Sequence, residues 1–527
     1  MLASLRDFFR EANQKVYLDY FIVFVIALVL FGWLQAAPAL PEPDSFYHAK
    51  MAQILSQGQI LQQFPWLAET GLAGAFVDHH FLYHLLLVPF VLLFNPLIGV
   101  KIATVIFASL LVLTVYFLFK KFQIRTPFIF IVFLLMSQPW LFRASLVKAP
   151  AVFLIFLLLA FYFLTHGRWL ALGLISFLSV WLYAGWPLLP FLILIYLFFY
   201  WLLEKFRTEN SIWYSFKQFF NRQKKSFPWR VLSYGFGGVL AGLVINPYFP
   251  KNLGFYWQQI MEISLINYQK VIGVGGEWYP YGLLKLVTDA PLACSLLAVG
   301  LMLFALTFKK QSIYTWTWLV LALIFFGLTL KSQRYVEFFV PLTVIFAAFC
   351  FSDYSKKLSR FHLGVLMNVG WQALFLLFGL VLAAGFLFKL PADLAQVKQD
   401  IKNGWPLSHY QAAAGWLAQN APAGAVVFNA DWDDFPFLFY YNSHNYYLTG
   451  LDPTFMYRRD KSRYEEYVQI TLGQISQELP AVIKNKFKAD YVFLDKGHGN
   501  FKRILDYLKG TVKVYEDGEA LIYKVND

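Results

Sequence analysis

Long apolar runs separated by short polar loops occupy most of the first 404 residues. Runs long enough to span a bilayer, or nearly so, fall at 17–37, 97–119, 127–142, 149–165, 168–185, 186–203, 231–247, 288–308, 313–330, 335–352 and 363–390. A hydrocarbon core of ~30 Å takes roughly 20 apolar helical residues, so the pattern predicts a polytopic α-helical membrane protein. About 11 transmembrane helices are expected, within a range of roughly 10–13. Several runs are short, which suits broken or tilted helices. The stretch 81–94 is read as an interfacial or half-buried helix, because a full span there would reverse the side of every later loop. From Trp405 the pattern becomes that of a soluble chain. Gln411 to Gln419 reads as a helix, Ala425 to Phe428 and Tyr491 to Leu494 as strands, and Val512 to Val525 as a hairpin turning at Asp517-Gly518. The expected organisation is a transmembrane domain over 1–404, with a first outer loop at 38–96 and another at 248–285, followed by a soluble α/β domain over 405–527.

Composition agrees. The chain is 59% hydrophobic and only 14% charged, outside the range of soluble domains. The net charge of +13 would suit nucleic acid, but the basic residues lie in short loops between apolar runs, where they orient helices. No nucleic-acid partner is expected. Cys294 and Cys350 both lie inside apolar runs, which argues against a disulfide framework or thiolate metal site. Residues 1–15 are charged and lead into an apolar run without a small-residue cleavage site, so they read as the start of a retained first span.

Lys and Arg set the expected orientation. With Arg6, Arg10 and Lys15 in the cytoplasm, Lys120-Lys121-Arg125, the stretch 204–230, Lys309-Lys310 and Lys356-Lys357-Arg360 all fall inside. The C-terminal domain is then extracytoplasmic, in what is taken as a prokaryotic inner (cytoplasmic) membrane.

The unusual polar residues collect in the outer segments. Asp44 follows the first span, where a carboxylate meets a lipid-tailed substrate as general base or metal ligand, or else caps a helix beginning near Phe46. Asp78, His79 and His80, with His84 one turn on, form the densest cluster of potential ligands, for a metal or a phosphate, or simply a His-rich polar face. Arg143, Lys148 and Arg334 are cations at interfacial depth, matched to a lipid-linked phosphate. Snorkelling, and an Arg334 to Glu337 ion pair, are the structural alternatives. Glu277 follows Gly273, Gly275 and Gly276 in a loop able to move over a site, or in a plain surface turn. Asp431, Trp432, Asp433 and Asp434 follow the first strand of the soluble domain, where open α/β folds place functional loops, although aspartates there also form turns and caps.

In order and spacing, these positions resemble the catalytic subunits of oligosaccharyltransferases and the wider GT-C class of membrane glycosyltransferases. Asp44 matches that family's first-loop catalytic aspartate. Phe142-Arg143-Ala144-Ser145 resembles its Arg-Ser segment, and Ala184-Gly185-Trp186 a Trp-Gly-Gly stretch further on. Gly276-Glu277-Trp278-Tyr279-Pro280 resembles the mobile outer-loop motif ending in Glu, and Arg334 stands where the family carries an arginine on the donor pyrophosphate. The stretch from Gly415-Trp416-Leu417 to Asp431-Trp432-Asp433-Asp434 resembles the helix, strand and WWDYG segment that reads the acceptor. Two motifs depart from the pattern. An Asp and Glu pair of metal ligands is replaced by Leu146-Val147-Lys148-Ala149-Pro150, and WWDYG reads Asp431-Trp432-Asp433-Asp434-Phe435.

The resemblance implies transfer of a sugar or oligosaccharide from a polyprenyl-phosphate-type lipid donor to an extracytoplasmic protein or glycan acceptor. Asp44 is then the base, Arg334 with Arg143 or Lys148 holds the phosphate, and Glu277 with Asp431 to Asp434 meets the acceptor. Asp78, His79 and His80 either hold a divalent cation, Mg or Mn, or help bind phosphate. Lys148 leaves a metal-independent reaction equally open. An oligosaccharyltransferase proper is the alternative within the class, and a transporter or flippase of lipid-linked sugars the alternative outside it. Polar residues gathered at one face, without an internal repeat, favour the enzyme.

Overall fold

Helices form where the apolar runs lie, and their ends carry local signals. Asn95 accepts a hydrogen bond from Leu97 N (3.2 Å) ahead of helix Pro96–Lys121, which closes on Lys120 and Lys121. Ser312 caps helix Ile313–Lys331 by accepting from Thr315 N. Such caps satisfy amide donors that begin a helix, and lysines suit the negative end of its dipole. The computed structural model describes residues 17–208, 229–358, 389–475 and 477–526. The expected cytoplasmic residues Arg6, Arg10, Lys15 and Arg360, most of the basic stretch 204–230 and most of the run 363–390 lie outside the described residues.

Among the described residues, four helices are long and apolar enough to cross a membrane: Pro96–Lys121, Pro291–Lys310, Ile313–Lys331 and Gln333–Ser355. The run expected as one span at 127–142 is two helices, Pro127–Leu135 and Gln138–Ala144, bent by 81°. Pro139 has no amide proton to continue the first helix, and Ser137 is extended. Leu18–Leu34, Phe81–Leu93, Pro150–Thr165, Trp169–Leu182, Leu188–Leu203 and Trp229–Val244 are apolar but shorter. Their outward faces keep Phe21, Leu170 and Leu240 exposed, an apolar exterior that suits lipid.

Helices Trp169–Leu182 and Trp229–Val244 pack through glycine. A β-carbon on Gly242 would lie 2.6 Å from Phe177 O, and one on Gly238 would collide with Gly173 O. Gly238 and Gly242 form a small-xxx-small pair that lets two backbones approach.

The C-terminal segment forms a five-stranded sheet of order β4-β3-β5-β7-β6. Strands β3 (Val426–Asn429), β4 (Tyr446–Tyr447) and β5 (Ala489–Asp495) run parallel, whereas β6 (Thr511–Glu516) and β7 (Ala520–Val525) form the antiparallel hairpin. The sequence pattern located β3, β5 and the hairpin but not β4. Nor did it show that the loop at 38–96 joins this unit. Ala68 N and Glu69 N donate to Tyr447 O and Leu448 O (2.8 and 2.9 Å), extending the sheet beyond β4. Arg463 pairs with Glu69 at 2.8 Å, and strand β1 (Ala39–Leu40) pairs with β2 (Trp405–Pro406). Phe46 packs on Phe437, and Phe64 and Trp66 on Phe439, with centroids 4.7–5.1 Å apart; such contacts clamp helix Asp44–Ser56 and the loop after it to helix Phe435–Tyr441.

Gly238→Ala and Gly242→Ala should each cost roughly 1–3 kcal/mol through overpacking. Gly237→Ala, where a β-carbon meets nothing within 4 Å, should be neutral or stabilising by up to about 1 kcal/mol. Thermal unfolding of the three variants in one detergent checks this ordering.

Candidate active site

Asp44 opens the first turn of helix Asp44–Ser56, with Pro43 rather than Asp44 at the N-cap position. Its Oδ2 lies 3.1 Å from Lys148 Nζ. Lys148 sits in the turn before helix Pro150–Thr165 and also reaches Glu42 Oε2 (2.6 Å) and Glu277 Oε2 (3.5 Å). Glu277 faces two further cations: Arg143 bonds its Oε2, and Arg334 Nη1 is 3.3 Å from its Oε1. Arg143 also holds Glu337 at 2.8 Å. The Arg334 to Glu337 pair expected as an alternative is thus replaced: Glu337 is paired with Arg143, while Arg334 stacks on the Trp278 ring at 4.1 Å and turns to Glu277. Trp278 O accepts from Asn267 Nδ2 (2.7 Å), Glu277 O from Ser332 Oγ (3.0 Å) and Tyr279 O from Gln333 N (3.0 Å), which holds the loop in place.

This charge network borders a cavity of ≈ 300 Å³, at the lower end of small-molecule sites. Asp44, His48, His79, His80, Lys148, Glu277 and Arg334 line its polar end, and Phe153, Leu188, Ile263, Phe325 and Phe338 an apolar wall. Arg143 lies outside that lining, behind Glu277. Tyr183, His48, Leu451, Asp452 and Phe455 also line the cavity, although the sequence reading did not single them out. His48 follows Asp44 by four residues, one helical turn, and that spacing was the available signal. Leu451 has φ +67°, a strained conformation for a bulky residue.

The acidic and histidine cluster divides in two. Asp78 Oδ2 meets His84 Nδ1 at 2.7 Å, and His84 Nε2 meets His48 Nδ1 at 2.7 Å, a buried line ending at the cavity wall. Asp78 Oδ1 accepts from His80 N (3.0 Å). His79 and His80 line the cavity, the His80 ring parallel to Tyr183 at 5.9 Å. Burial, first of all, pulls the His79 imidazole down to about 4 and holds His80 well below its ordinary value, so both are neutral near pH 7. Among the described residues, no group of three His, Cys, Asp or Glu side chains is placed to hold a metal ion.

Asp431 and Asp434 form a reciprocal cap at the start of the turn Trp432–Asp434. Asp433 takes no part in that cap through its side chain and is exposed. Partial desolvation by the surrounding protein, with the charges of Asp431 and Asp44 nearby, raises its carboxyl pKa above the ordinary value. Trp432 lies 3.7 Å from where a Gly275 β-carbon would stand, so this loop abuts the glycines before Glu277.

Burial alone would lower the Lys148 pKa and raise that of Glu277. Their opposite charges win: Glu277, Glu42 and Asp44 hold Lys148 well above its ordinary range, and Lys148, Arg143 and Arg334 hold Glu277 well below. Glu42 goes the other way, because burial outweighs Lys148 and lifts its carboxyl to about 7; its Oε1 is buried without a partner.

A polar charge cluster opens onto an apolar wall at the meeting of apolar helices and an α/β unit, in a fold similar to those of solved oligosaccharyltransferase, ArnT and arabinofuranosyltransferase structures. The chain is similar to the Archaeoglobus fulgidus oligosaccharyltransferase in its apo form, with a TM-score of 0.63 and 14% identity over 97% of this chain and 75% of that one. It is also similar to ArnT from Cupriavidus metallidurans bound to undecaprenyl phosphate, with a TM-score of 0.54 and 13% identity over 96% of this chain and 98% of that one. Arabinofuranosyltransferase AftD from Mycobacteria matches with a TM-score of 0.54 and 12% identity over 97% of this chain and 40% of that one. No family model and no curated protein matches the sequence.

Glu277→Gln would leave three cations facing one another without their shared anion, and should cost about 3 kcal/mol of stability, read as a lowered thermal midpoint. Glu42 supplies a pH test. Its carboxyl pKa rises from 4.5 to about 7 on folding, so its contribution is complete below the lower value and lost as pH rises through the upper one. Glu42→Gln should therefore flatten the fall of the thermal midpoint across that window.

Proposed function

We propose that this chain is a membrane glycosyltransferase that moves a sugar or oligosaccharide from a polyprenyl-phosphate-type lipid donor to an extracytoplasmic acceptor. The observation that carries this reading is the cavity, whose one wall is apolar helix and whose other end presents Asp44, Lys148, Glu277 and Arg334. A lipid tail needs the first and a phosphate needs the second. The likeness to an oligosaccharyltransferase solved with dolichol-phosphate and an inhibitory peptide, and to ArnT with undecaprenyl phosphate, supports a lipid-linked donor.

In this reading Asp44 takes the acceptor's proton, and Arg334 and Lys148 hold the phosphate that leaves. Glu277 keeps those cations in register, with Arg143 bracing it from behind. Trp432 and Asp433, beside the Glu277 loop, meet the acceptor, while Asp431 and Asp434 shape that turn. The 1–404 portion is the membrane platform and 405–527 its extracytoplasmic cover, with the N-terminus in the cytoplasm. The acidic reading of the acceptor loop favours a glycan or protein acceptor other than the Asn-X-Ser/Thr sequence of an oligosaccharyltransferase proper.

Mass spectrometry of lipid copurifying with the protein should find a polyprenyl-linked sugar, and Asp44→Asn should lower turnover by about 100-fold or more while keeping that lipid bound. Near-normal turnover in the variant removes Asp44 as the base. A wild-type protein that moves such lipids across vesicles without transferring the sugar replaces the enzyme with a flippase.

A further inference from the structure

The turn between helices Gln138–Ala144 and Pro150–Thr165 carries Leu146-Val147-Lys148-Ala149-Pro150 where the resembled family has an Asp and Glu pair. The fold makes that exchange consequential. Lys148 Nζ is 2.6 Å from Glu42 Oε2, 3.1 Å from Asp44 Oδ2 and 3.5 Å from Glu277 Oε2. An ammonium has no acceptor of its own, and here three carboxylate oxygens surround it at ion-pair distance. Carboxylate oxygens converging on one point are also what a hard divalent cation requires, at about 2.1 Å for Mg²⁺. Here the point they surround already holds a nitrogen.

That nitrogen is held from both sides. Lys148 N donates to Leu146 O (2.8 Å), and Pro150 opens the next helix immediately after Ala149, so the stem rises from a fixed turn. The side chain is only 13% exposed, and it lines the cavity. Arg143 and Arg334 approach the same Glu277 from other directions. A divalent ion entering between Asp44 and Glu277 would sit among three fixed cations, each repelling it in a medium less polarisable than water.

We propose that Lys148 is a built-in cation standing in the place of a divalent metal ion, and that transfer at this site needs no metal. The chemistry rests on the glycosyltransferase reading, while the cation site does not. In the transfer step the bond between the anomeric carbon and the donor phosphate oxygen breaks as the acceptor's bond to that carbon forms. The acceptor's proton passes to Asp44, and the bonding pair leaves on the phosphate oxygen. Lys148 gives up no proton. It pairs with Asp44 and sets a fixed positive charge beside the oxygen that becomes anionic.

The test uses the full-length protein in detergent, titrated with Mn²⁺ and followed by electron paramagnetic resonance. Wild type should bind no stoichiometric Mn²⁺. Lys148→Ala should acquire one equivalent, as should Lys148→Met, which keeps the apolar stem should the smaller residue prevent folding. Adding Asp44→Asn to either variant should abolish that binding, and wild-type transfer should be unchanged in EDTA. The proposal is overturned if wild type binds one Mn²⁺ that Asp44→Asn removes. It is likewise overturned if EDTA stops wild-type transfer and Mg²⁺ or Mn²⁺ restores it, or if neither Lys148 variant binds Mn²⁺. The Mn²⁺ measurement requires neither donor nor acceptor, so an error about the reaction leaves it intact and an error about Lys148 does not.

Discussion

Glu277 shares one carboxylate among Lys148, Arg143 and Arg334, in a region where a charge without a partner is costly. Each of these cations is bound to a different stretch of chain, and Glu42, Asp44 and Glu337 complete the set. Burying such charges is tolerable only when every one is paired at short range, because the desolvation penalty of an orphaned ion exceeds what neighbouring packing supplies. The network therefore ties the loop at 38–96, the broken helix pair, the glycine-containing loop and the turn at Arg334 to a common centre. It also explains why these polar residues interrupt an otherwise apolar chain.

The C-terminal unit gives the centre its second wall. Residues 66–69 add an edge to the sheet beside β4, and the Phe46, Phe64 and Trp66 contacts lock the helix bearing Asp44 against helix Phe435–Tyr441. The Asp431 to Asp434 turn immediately precedes that helix, so the aromatic seam fixes this turn relative to the helix bearing Asp44. The loop at 38–96, read from sequence only as a connection bearing candidate site residues, is part of the α/β unit's architecture.

Much of this arrangement was legible, and the misses have physical causes. Hydrophobic periodicity located helices such as Pro96–Lys121 and Ile313–Lys331 within a few residues, because a long apolar helix is specified by its own side chains. It merged Pro127–Leu135 and Gln138–Ala144 into one run, since the apolar signal continues across the 81° break while Pro139 interrupts only the backbone. Strand β4 was missed because two residues carry no period, and their pairing partners lie in β3 and in the first loop. Asp78 was grouped with His79 and His80 by adjacency, whereas the turn ahead of helix Phe81–Leu93 directs its carboxylate to His84 and onward to His48.

The sequence by itself determined the solvent of the helices, the position of the soluble-type segment and the identities of the charged residues available in the loops between apolar runs, because hydropathy and residue type are local properties. Only the tertiary structure decided how those charges are shared. Lys148, one cation among several in the chain, becomes the partner of three carboxylates, and Arg143, next in line to it, becomes a brace outside the cavity. Electrostatic partnership depends on distance and burial, and both are set by which remote segments fold against one another.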